Sequence, residues 1–146
     1  MQDKLNLTSN NRITPEKIIS LNKDEIFVFG SNLAGIHGAG AARTAVFKFG
    51  AINGKGSGLQ GKSYGIPTKN RHIITLNIDK IKPHINRFIK FAIKNPNKTF
   101  LVTEVGCGLA GYKPKEIAPL FKEAINVENI HLPQRFWDVI NKKIIC

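Results

Sequence analysis

Two glycine-rich loops constrain the fold of this 146-residue chain more than any other feature of its sequence. The first loop, residues 30–40 (GSNLAGIHGAG), follows the β-prone apolar run 25–29 and precedes a stretch with helical spacing of apolar residues. The second loop, residues 106–112 (GCGLAGY), follows the apolar run 99–105 and precedes a helix start at Pro114. Loops that join the carboxyl end of a strand to the N-terminus of a helix are where open α/β sheets bind ligands.

The segments around these loops predict alternating strands and helices. This alternation indicates an α/β fold, a three-layer sandwich in which helices flank a mixed, mostly parallel central sheet. We expect a single domain over residues 1–146, with a core at about 14–133 and tails at 1–13 and 134–146. The other predicted strands are 63–67, 72–77 and 129–132, and the predicted helices begin at Thr14, Gly40, Asp79, Pro114 and Gln134.

A third glycine-rich segment matches a phosphate-binding pattern in its letters only. Residues 56–63 (GSGLQGKS) fit G-x-x-x-x-G-K-[ST], which binds nucleotides only between a strand and a helix. The next residues, 64–67 (YGIP), oppose a helix because they contain glycine and proline. We therefore set aside an ATPase or GTPase and interpret the glycine-rich stretch 54–61 as a mobile lid loop.

The charge balance favours anionic partners. The chain has 22 Lys plus Arg and 10 Asp plus Glu, so its formal net charge is 22 − 10 = +12. Such an excess attracts nucleotides, diphosphates or nucleic acid, although an AT-rich genome would also supply many idle lysines. No apolar run approaches the ~18 residues of a membrane span, and two cysteines do not make a disulfide framework. We expect a cytoplasmic protein.

The glycine loops predict an anion site built from the main chain. Glycine lets backbone N–H groups approach an anion, and the following helix adds a partial positive charge. Two such loops facing one another would bind a diphosphate without a metal or cofactor, whereas ordinary glycine turns are the alternative reading. Three histidines, His72, His84 and His131, have no metal-ligand spacing with one another or with the cysteines.

The motifs FGSN (29–32), GAGAA (38–42), IPTK (66–69) and VGCGLAGY (105–112) occur in an order that resembles the macrodomains. More narrowly, the chain is similar to small macro-like proteins of bacteria and their phages over about residues 14–133. This resemblance implies binding of ADP-ribose or a related NAD-derived nucleotide, with hydrolysis of an ADP-ribosyl linkage in some members. The ligand-binding residues that it implies are Gly30, Ser31, Asn32, Gly38, Ala39, Gly40, Gly106, Cys107, Gly108, Leu109, Ala110, Gly111 and Tyr112.

Whether the chain is an enzyme stays open at this point. The motif GCGL resembles a macrodomain branch that removes ADP-ribose from carboxylates or DNA bases with a lysine nucleophile, and Lys69 matches that lysine. Ala110 stands where this branch has an aspartate. Arg12 stands where the broader family has an aspartate for the adenine amino group, and a guanidinium cannot accept that N–H bond. Stacking on the base or contact with a phosphate is the alternative for Arg12. Binding survives these departures better than catalysis does. Together with Lys69, the candidate catalytic residues are Asn32, which the resemblance places beside the distal ribose, His37 and Glu104.

Several candidate side chains have a structural alternative. His37 is either a general base or a structural hydrogen-bonding group, and Cys107 is either a nucleophile or a small buried side chain. Glu104 either acts on a ribose hydroxyl or a catalytic water, or pairs with a nearby lysine. Phe136 and Trp137 either stack on a base or pack in the core.

Two further functions compete with nucleotide binding coupled to hydrolysis. One is a non-catalytic sponge that sequesters an NAD-derived immune signalling nucleotide. The other is a basic nucleic-acid-binding domain, against which the lack of an RNA-binding aromatic pattern counts.

Overall fold

The computed structural model of the protein describes residues 11–145, which form one six-stranded sheet with helices on both faces. The strands are β1 (Ile13–Thr14), β2 (Glu25–Asn32), β3 (Gly58–Gln60), β4 (Ser63–Lys69), β5 (Thr99–Val102) and β6 (Ile130–Pro133). The helices are α1 (Gly40–Lys48), α2 (Ile78–Lys94), α3 (Pro114–Ile117) and α4 (Gln134–Ile145), and a 3-10 helix, η1 (Ala118–Asn126), follows α3 directly.

The strands lie in the order β1-β6-β5-β2-β4-β3, and each neighbouring pair is parallel except β3 and β4. Strand β2 lies inside the sheet, where Val28 aligns with Val102 of β5 and with Tyr64 of β4. Because β2, β4 and β5 run in one direction, their carboxyl ends lie at one edge of the sheet. The two glycine loops follow β2 and β5 and therefore meet at this edge.

Side chains of β2 alternate between two apolar cores. Ile26 and Val28 belong to the larger core, beneath α2, η1 and α4, whereas Phe27 and Phe29 pack against α1 on the opposite face. A strand buried on both faces is apolar throughout, which is why its sequence predicts a buried strand so clearly. The helices on each side of this sheet make the three layers of the predicted α/β sandwich, and this prediction is confirmed.

The last helix belongs to the larger core. The side chains of Phe136, Trp137 and Ile140 in α4 are buried against it, so the core extends past Pro133. Phe136 and Trp137 are therefore packing residues and do not stack on a ligand. An amphipathic helix over 134–145 was the prediction for this segment, and it is confirmed.

The predicted helix start at Thr14 is wrong. Thr14 lies in β1, where it aligns with Pro133 of β6, and residues 15–24 form no regular helix or strand. A local capping signal of threonine followed by proline contributes only about 1 kcal/mol. Pairing with β6 and burial of Thr14 outweigh it here.

The predicted strand over 72–77 is also wrong. The Asn70 side-chain oxygen accepts hydrogen bonds from the N–H groups of His72 (2.8 Å) and Ile74 (3.1 Å), which closes a turn. Asparagine competes with strand pairing in this way. The isoleucines of this turn are exposed as a result.

The segment interpreted as a lid is part of the sheet. Gly58–Gln60 forms β3 and pairs with β4 in an antiparallel hairpin, so the lid interpretation is wrong. The absence of a helix after Ser63 is confirmed, because this residue begins β4. In the part of the chain that the structure describes, no helix is both long enough and apolar enough to cross a membrane.

Candidate functional site

A cleft of about 420 Å³ opens at the carboxyl ends of β2, β4 and β5, between the two glycine loops. The loops approach each other closely: a Cβ built on Gly30 would lie 3.4 Å from the backbone nitrogen of Gly106, and one built on Gly40 would lie 3.9 Å from Leu109 Cδ1. The predicted residues that line the cleft are Gly30, Ser31, Asn32, Gly38, Ala39, Gly40, Lys69, Glu104, Gly106, Gly108, Leu109 and Ala110. The cleft thus unites both loops, as expected for a single anion site.

Unpaired backbone donors line both sides of this cleft. Helix α1 begins here without a side-chain cap, and its first hydrogen bond is donated by the N–H of Arg43 to the carbonyl of Ala39 (3.3 Å). The N–H groups of residues 40–42 are therefore the free donors of the helix N-terminus. In the second loop, the N–H groups of residues 108–110 donate no hydrogen bond to any described residue. Such groups bind anions well.

Glycine is required at some positions of the loops and merely permitted at others. Gly40 and Gly106 have φ angles of +61° and +78°, a region that favours glycine. A Cβ on Gly38 or Gly108 would meet no atom within 4 Å. The cleft is therefore open at these two positions, and a substitution at Gly108 tests the site without a steric clash.

Most polar side chains of the cleft are already bonded within the protein. Asn32, only 7% exposed, accepts the N–H of Ile36 (3.0 Å) and donates to the carbonyl of the same residue (2.8 Å). Its amide therefore braces the first loop. The hydroxyl groups of Ser31, Thr68 and Thr103 donate to the carbonyls of Gly56, Ser31 and Val28 respectively.

Lys69 is the one cationic residue on the described wall of this cleft. It ends β4 and aligns with Asn32 of β2 in the sheet. Its ammonium group forms no hydrogen bond or ion pair with the described residues, so it is available to a ligand. Lys69, the candidate nucleophile, thus lines the same cleft as the two glycine loops.

Glu104 lies where this cleft meets a second cavity of about 870 Å³. Arg135 in α4 donates to its carboxylate, with an Nε to Oε2 distance of 2.7 Å. Of the alternatives for Glu104, the structure thus shows an ion pair, with arginine rather than lysine as partner. The cleft and the second cavity share Ala41, Thr103 and Glu104 and are therefore adjacent.

The second cavity is lined by a mixed set of side chains. Thr14, Pro15, Ile18 and Pro133 form part of its wall, beside the charged residues Glu16, Lys17, Lys48 and Arg135. Thr14 is 5% exposed, and its Oγ1 is enclosed by protein and makes no hydrogen bond within the described residues, which costs free energy. The cavity thus combines apolar surface with charged groups of both signs.

Four predicted site residues lie outside the cleft wall. His37 is buried, and its Nε2 lies 2.9 Å from the Lys55 carbonyl and 3.2 Å from Gln60 Oε1, so its structural alternative holds. The hydroxyl of Tyr112 donates to the Leu76 carbonyl (2.7 Å). The other two are Cys107 and Gly111.

Cys107 is not placed to act as a nucleophile. Its side chain packs against the larger core, and burial raises the pKa of the thiol to about 11, with a further rise from the nearby Glu104 carboxylate. Thiolate is the reactive form of cysteine. At neutral pH this group is therefore a small packing side chain.

Arg12 faces the core and lines neither cavity. It is 9% exposed and donates hydrogen bonds to four backbone carbonyls, with its guanidinium 5.0 Å from the centre of the Trp137 ring. Contact with a base or a phosphate, suggested for it by the sequence, is therefore wrong. The acceptors are the carbonyls of Ala124, Ile125, Val127 and Ile130.

Sequence reasoning missed several residues of the site. Ile36 and Ile73 line the cleft with exposed side chains, and Thr68 and Thr103 form part of its floor. None carries a sequence signal beyond its position next to a loop. Among residues 11–145, no cluster of three or more histidine, cysteine or carboxylate side chains is able to hold a metal ion.

In comparisons with known proteins, no family model, no curated protein sequence and no solved structure matches this chain significantly.

Proposed function

We propose that this protein binds ADP-ribose or a related NAD-derived nucleotide, with the diphosphate held between the two glycine loops. The observation that supports this most directly is the pair of unpaired N–H runs, at residues 40–42 and 108–110, on opposite sides of one cleft. Backbone donors at a helix N-terminus favour an oxyanion over other ligands. Lys69 adds the only side-chain cation of this wall, and the net charge of +12 favours association with an anion.

The adjacent cavity accommodates the nucleobase in this proposal. It borders the anion site through Ala41, Thr103 and Glu104, and its wall combines the apolar residues Ile18 and Pro133 with charged and polar ones, which suits a flat ring with polar edges. Together the two cavities have room for a base, a diphosphate and a second ribose.

A carboxylate placed at the anion site is expected to abolish binding. With ADP-ribose at 100 times its Kd, the wild-type protein should gain about 2.7 kcal/mol, or about 5–10 °C in Tm. In Gly108→Glu the added charge faces the diphosphate, so we expect a shift below about 1 °C. Differential scanning fluorimetry of both proteins with and without ADP-ribose measures this.

Two control variants show whether the effect of Gly108→Glu comes from the local negative charge, from the size of the added side chain or from the change in net charge. Gly108→Gln has nearly the same shape without the charge and should retain most of the shift. Asn97→Glu adds one negative charge at an exposed turn before β5, at the opposite edge of the sheet, and should retain all of it. If wild-type protein shows no shift with any ADP-ribose derivative, the proposal is wrong.

Hydrolysis of an ADP-ribosyl linkage is a second candidate function, and the unpaired Lys69 ammonium in the cleft favours it. The uncharged amine of the lysine attacks C1 of the ribose, and the linked carboxylate or base leaves with the electron pair of the bond that breaks. The sugar ring then opens to a Schiff base, and water hydrolyses it, which releases ADP-ribose and regenerates the amine. On ADP-ribosylated substrate we expect Lys69→Ala to lower turnover at least 100-fold, with ADP-ribose affinity changed less. Lys69→Arg keeps the charge but not the nucleophile and should be as inactive.

The readout is release of ADP-ribose, followed by mass spectrometry. If Lys69→Ala and Glu104→Ala both retain full turnover, the assigned roles are wrong. If the wild-type protein returns its nucleotide intact after heating and shows no turnover, it is a sponge for that nucleotide rather than a hydrolase.

A further inference from the structure

Three exposed apolar side chains surround the mouth of the anion cleft. Ile36, Ile73 and Leu109, here called the apolar rim, are 58%, 40% and 70% exposed, and all three line the cleft. They come from three separate segments of the chain, so their convergence is a property of the fold. An exposed apolar surface at a cleft is typical of a ligand contact.

Ile73 is held in the rim by a strained backbone. Its φ angle is +64°, the only positive value among the described residues other than glycine, and a β-branched side chain is disfavoured there. The turn around it is closed by the Asn70 side chain, which accepts the N–H groups of its neighbours His72 and Ile74. Thr75 Oγ1 donates to the Ala110 carbonyl (3.0 Å) and ties this turn to the second glycine loop.

The chemistry beside the rim suits a ring better than a bare sugar. Ribose hydroxyl groups need polar partners, but the side chains of Ser31, Asn32, Thr68 and Thr103 are bonded to backbone groups of the protein. What remains in the cleft is the backbone donors, the Lys69 ammonium, the Glu104 carboxylate paired with Arg135, and the three aliphatic side chains of the rim. The face of a flat heterocyclic ring loses no hydrogen bond on those aliphatic side chains and buries apolar area.

We propose that the ligand is of the dinucleotide class: its second ribose carries a flat heterocyclic ring that lies on the apolar rim. This inference rests on the proposed function, because it assumes that the diphosphate lies between the two loops. It adds that the ring end of the ligand, and not only ADP-ribose, is recognised. A neutral ring is favoured over a cationic one, since the protein carries a net charge of +12 and Lys69 borders the cleft.

Calorimetric titration with NADH, NAD⁺ and ADP-ribose tests this proposal. On its second ribose, NADH carries an uncharged nicotinamide ring, NAD⁺ carries a positively charged one, and ADP-ribose carries no base. We expect NADH to bind about 10-fold more tightly than ADP-ribose, because the ring buries apolar area, and NAD⁺ to bind with an affinity between the two. If ADP-ribose binds as tightly as NADH, the ring proposal is overturned.

A matched pair of variants tests the rim itself. Ile73→Asn removes the apolar contact while keeping a residue that tolerates the positive φ angle, and should reduce NADH affinity to that for ADP-ribose. Its effect on ADP-ribose affinity should stay within about twofold. Ile74→Asn makes the same change in the neighbouring isoleucine, which is 62% exposed but does not line the cleft, and should change neither affinity.

The failures of the two proposals differ in these measurements. The ring proposal is overturned if Ile73→Asn weakens the binding of NADH and of ADP-ribose equally. It is also overturned if Ile74→Asn lowers NADH affinity as much as Ile73→Asn does. If both ligands bind equally and Gly108→Glu abolishes both, the ring proposal fails while the proposed function survives. If no ligand binds, both proposals are overturned.

Discussion

Arg12→Met is expected to lower the free energy of unfolding by about 2–4 kcal/mol. The guanidinium donates five hydrogen bonds of 2.7–3.0 Å to four backbone carbonyls, at the end of η1 and at the start of β6. Methionine fills a similar volume but donates none, so each of the four carbonyls loses a charged donor. Those of Ala124 and Val127 still accept the N–H groups of Val127 and Ile130. Unfolding in urea, followed by circular dichroism, measures the change.

The large effect follows from where Arg12 is held. Its side chain ties β1 to η1 and β6, residues that lie 112–118 positions away in the chain. Trp137 Nε1 donates to the Arg12 carbonyl (2.7 Å), so α4 is fastened to the same point. Burial lowers the pKa of the guanidinium, yet it stays charged at neutral pH, as arginine does in proteins. Removing a buried charge from its acceptors is costly.

A second arginine over an aromatic ring provides the control. Arg43 lies 5.2 Å from the centre of the Phe47 ring but is exposed, so Arg43→Met should change stability by less than about 0.5 kcal/mol. Arg12→Lys keeps the charge but not the forked geometry, and should lose an intermediate amount. A loss below 1 kcal/mol in Arg12→Met contradicts this account.

The sequence predicts those elements whose pattern reports burial directly. In the strand that begins at Glu25, residues 26–29 are buried on both faces of the sheet and form a continuous apolar run. Helix α2 has apolar residues at helical spacing, and five of them, Ile81, Ile85, Phe88, Ile89 and Ala92, are buried as expected. For such segments local spacing and tertiary packing agree.

Prediction fails where a distant partner decides the local structure. Thr14 has the signals of a helix start, but β6, more than 110 residues later, draws it into the sheet. Arg12 is charged and near the N-terminus, and only the carbonyls at the end of η1 explain its burial. In neither case does the neighbouring sequence contain the competing interaction.

At the site, the placement of the main-chain loops was predictable from the local sequence, whereas the contacts of the side chains were not. The two glycine loops were predicted as one anion site, and they do border one cleft, because loops at parallel strand ends must meet there. The roles of individual side chains were harder to predict. Asn32, His37 and Tyr112 use their polar atoms to hold the loops, which depends on carbonyls and side chains that the motif does not include.

Gly56→Ala is expected to destabilise the protein by about 2–3 kcal/mol. A Cβ on this residue would lie 2.1 Å from the backbone oxygen of Asn32, far inside any possible contact. The Gly56 carbonyl oxygen also accepts a hydrogen bond from the Ser31 hydroxyl. The same oxygen lies close to Gly65 of β4: a Cβ built on Gly65 would lie 2.7 Å from it. The substitution therefore forces apart the ends of β2 and β4 that carry the cleft.

The sign of this effect separates two views of the glycine-rich segment. In a mobile lid, alanine in place of glycine restricts the unfolded chain and stabilises by about 0.4–1 kcal/mol. If the segment is packed against the Asn32 backbone, Gly56→Ala destabilises the protein. The substitution should then also weaken ADP-ribose binding about 10-fold, because the Asn32 side chain braces the first loop. Gly108→Ala is the matched control: its Cβ meets nothing within 4 Å, so the protein should be unchanged or stabilised by up to about 1 kcal/mol. Equal melting temperatures for Gly56→Ala and Gly108→Ala contradict the packed arrangement.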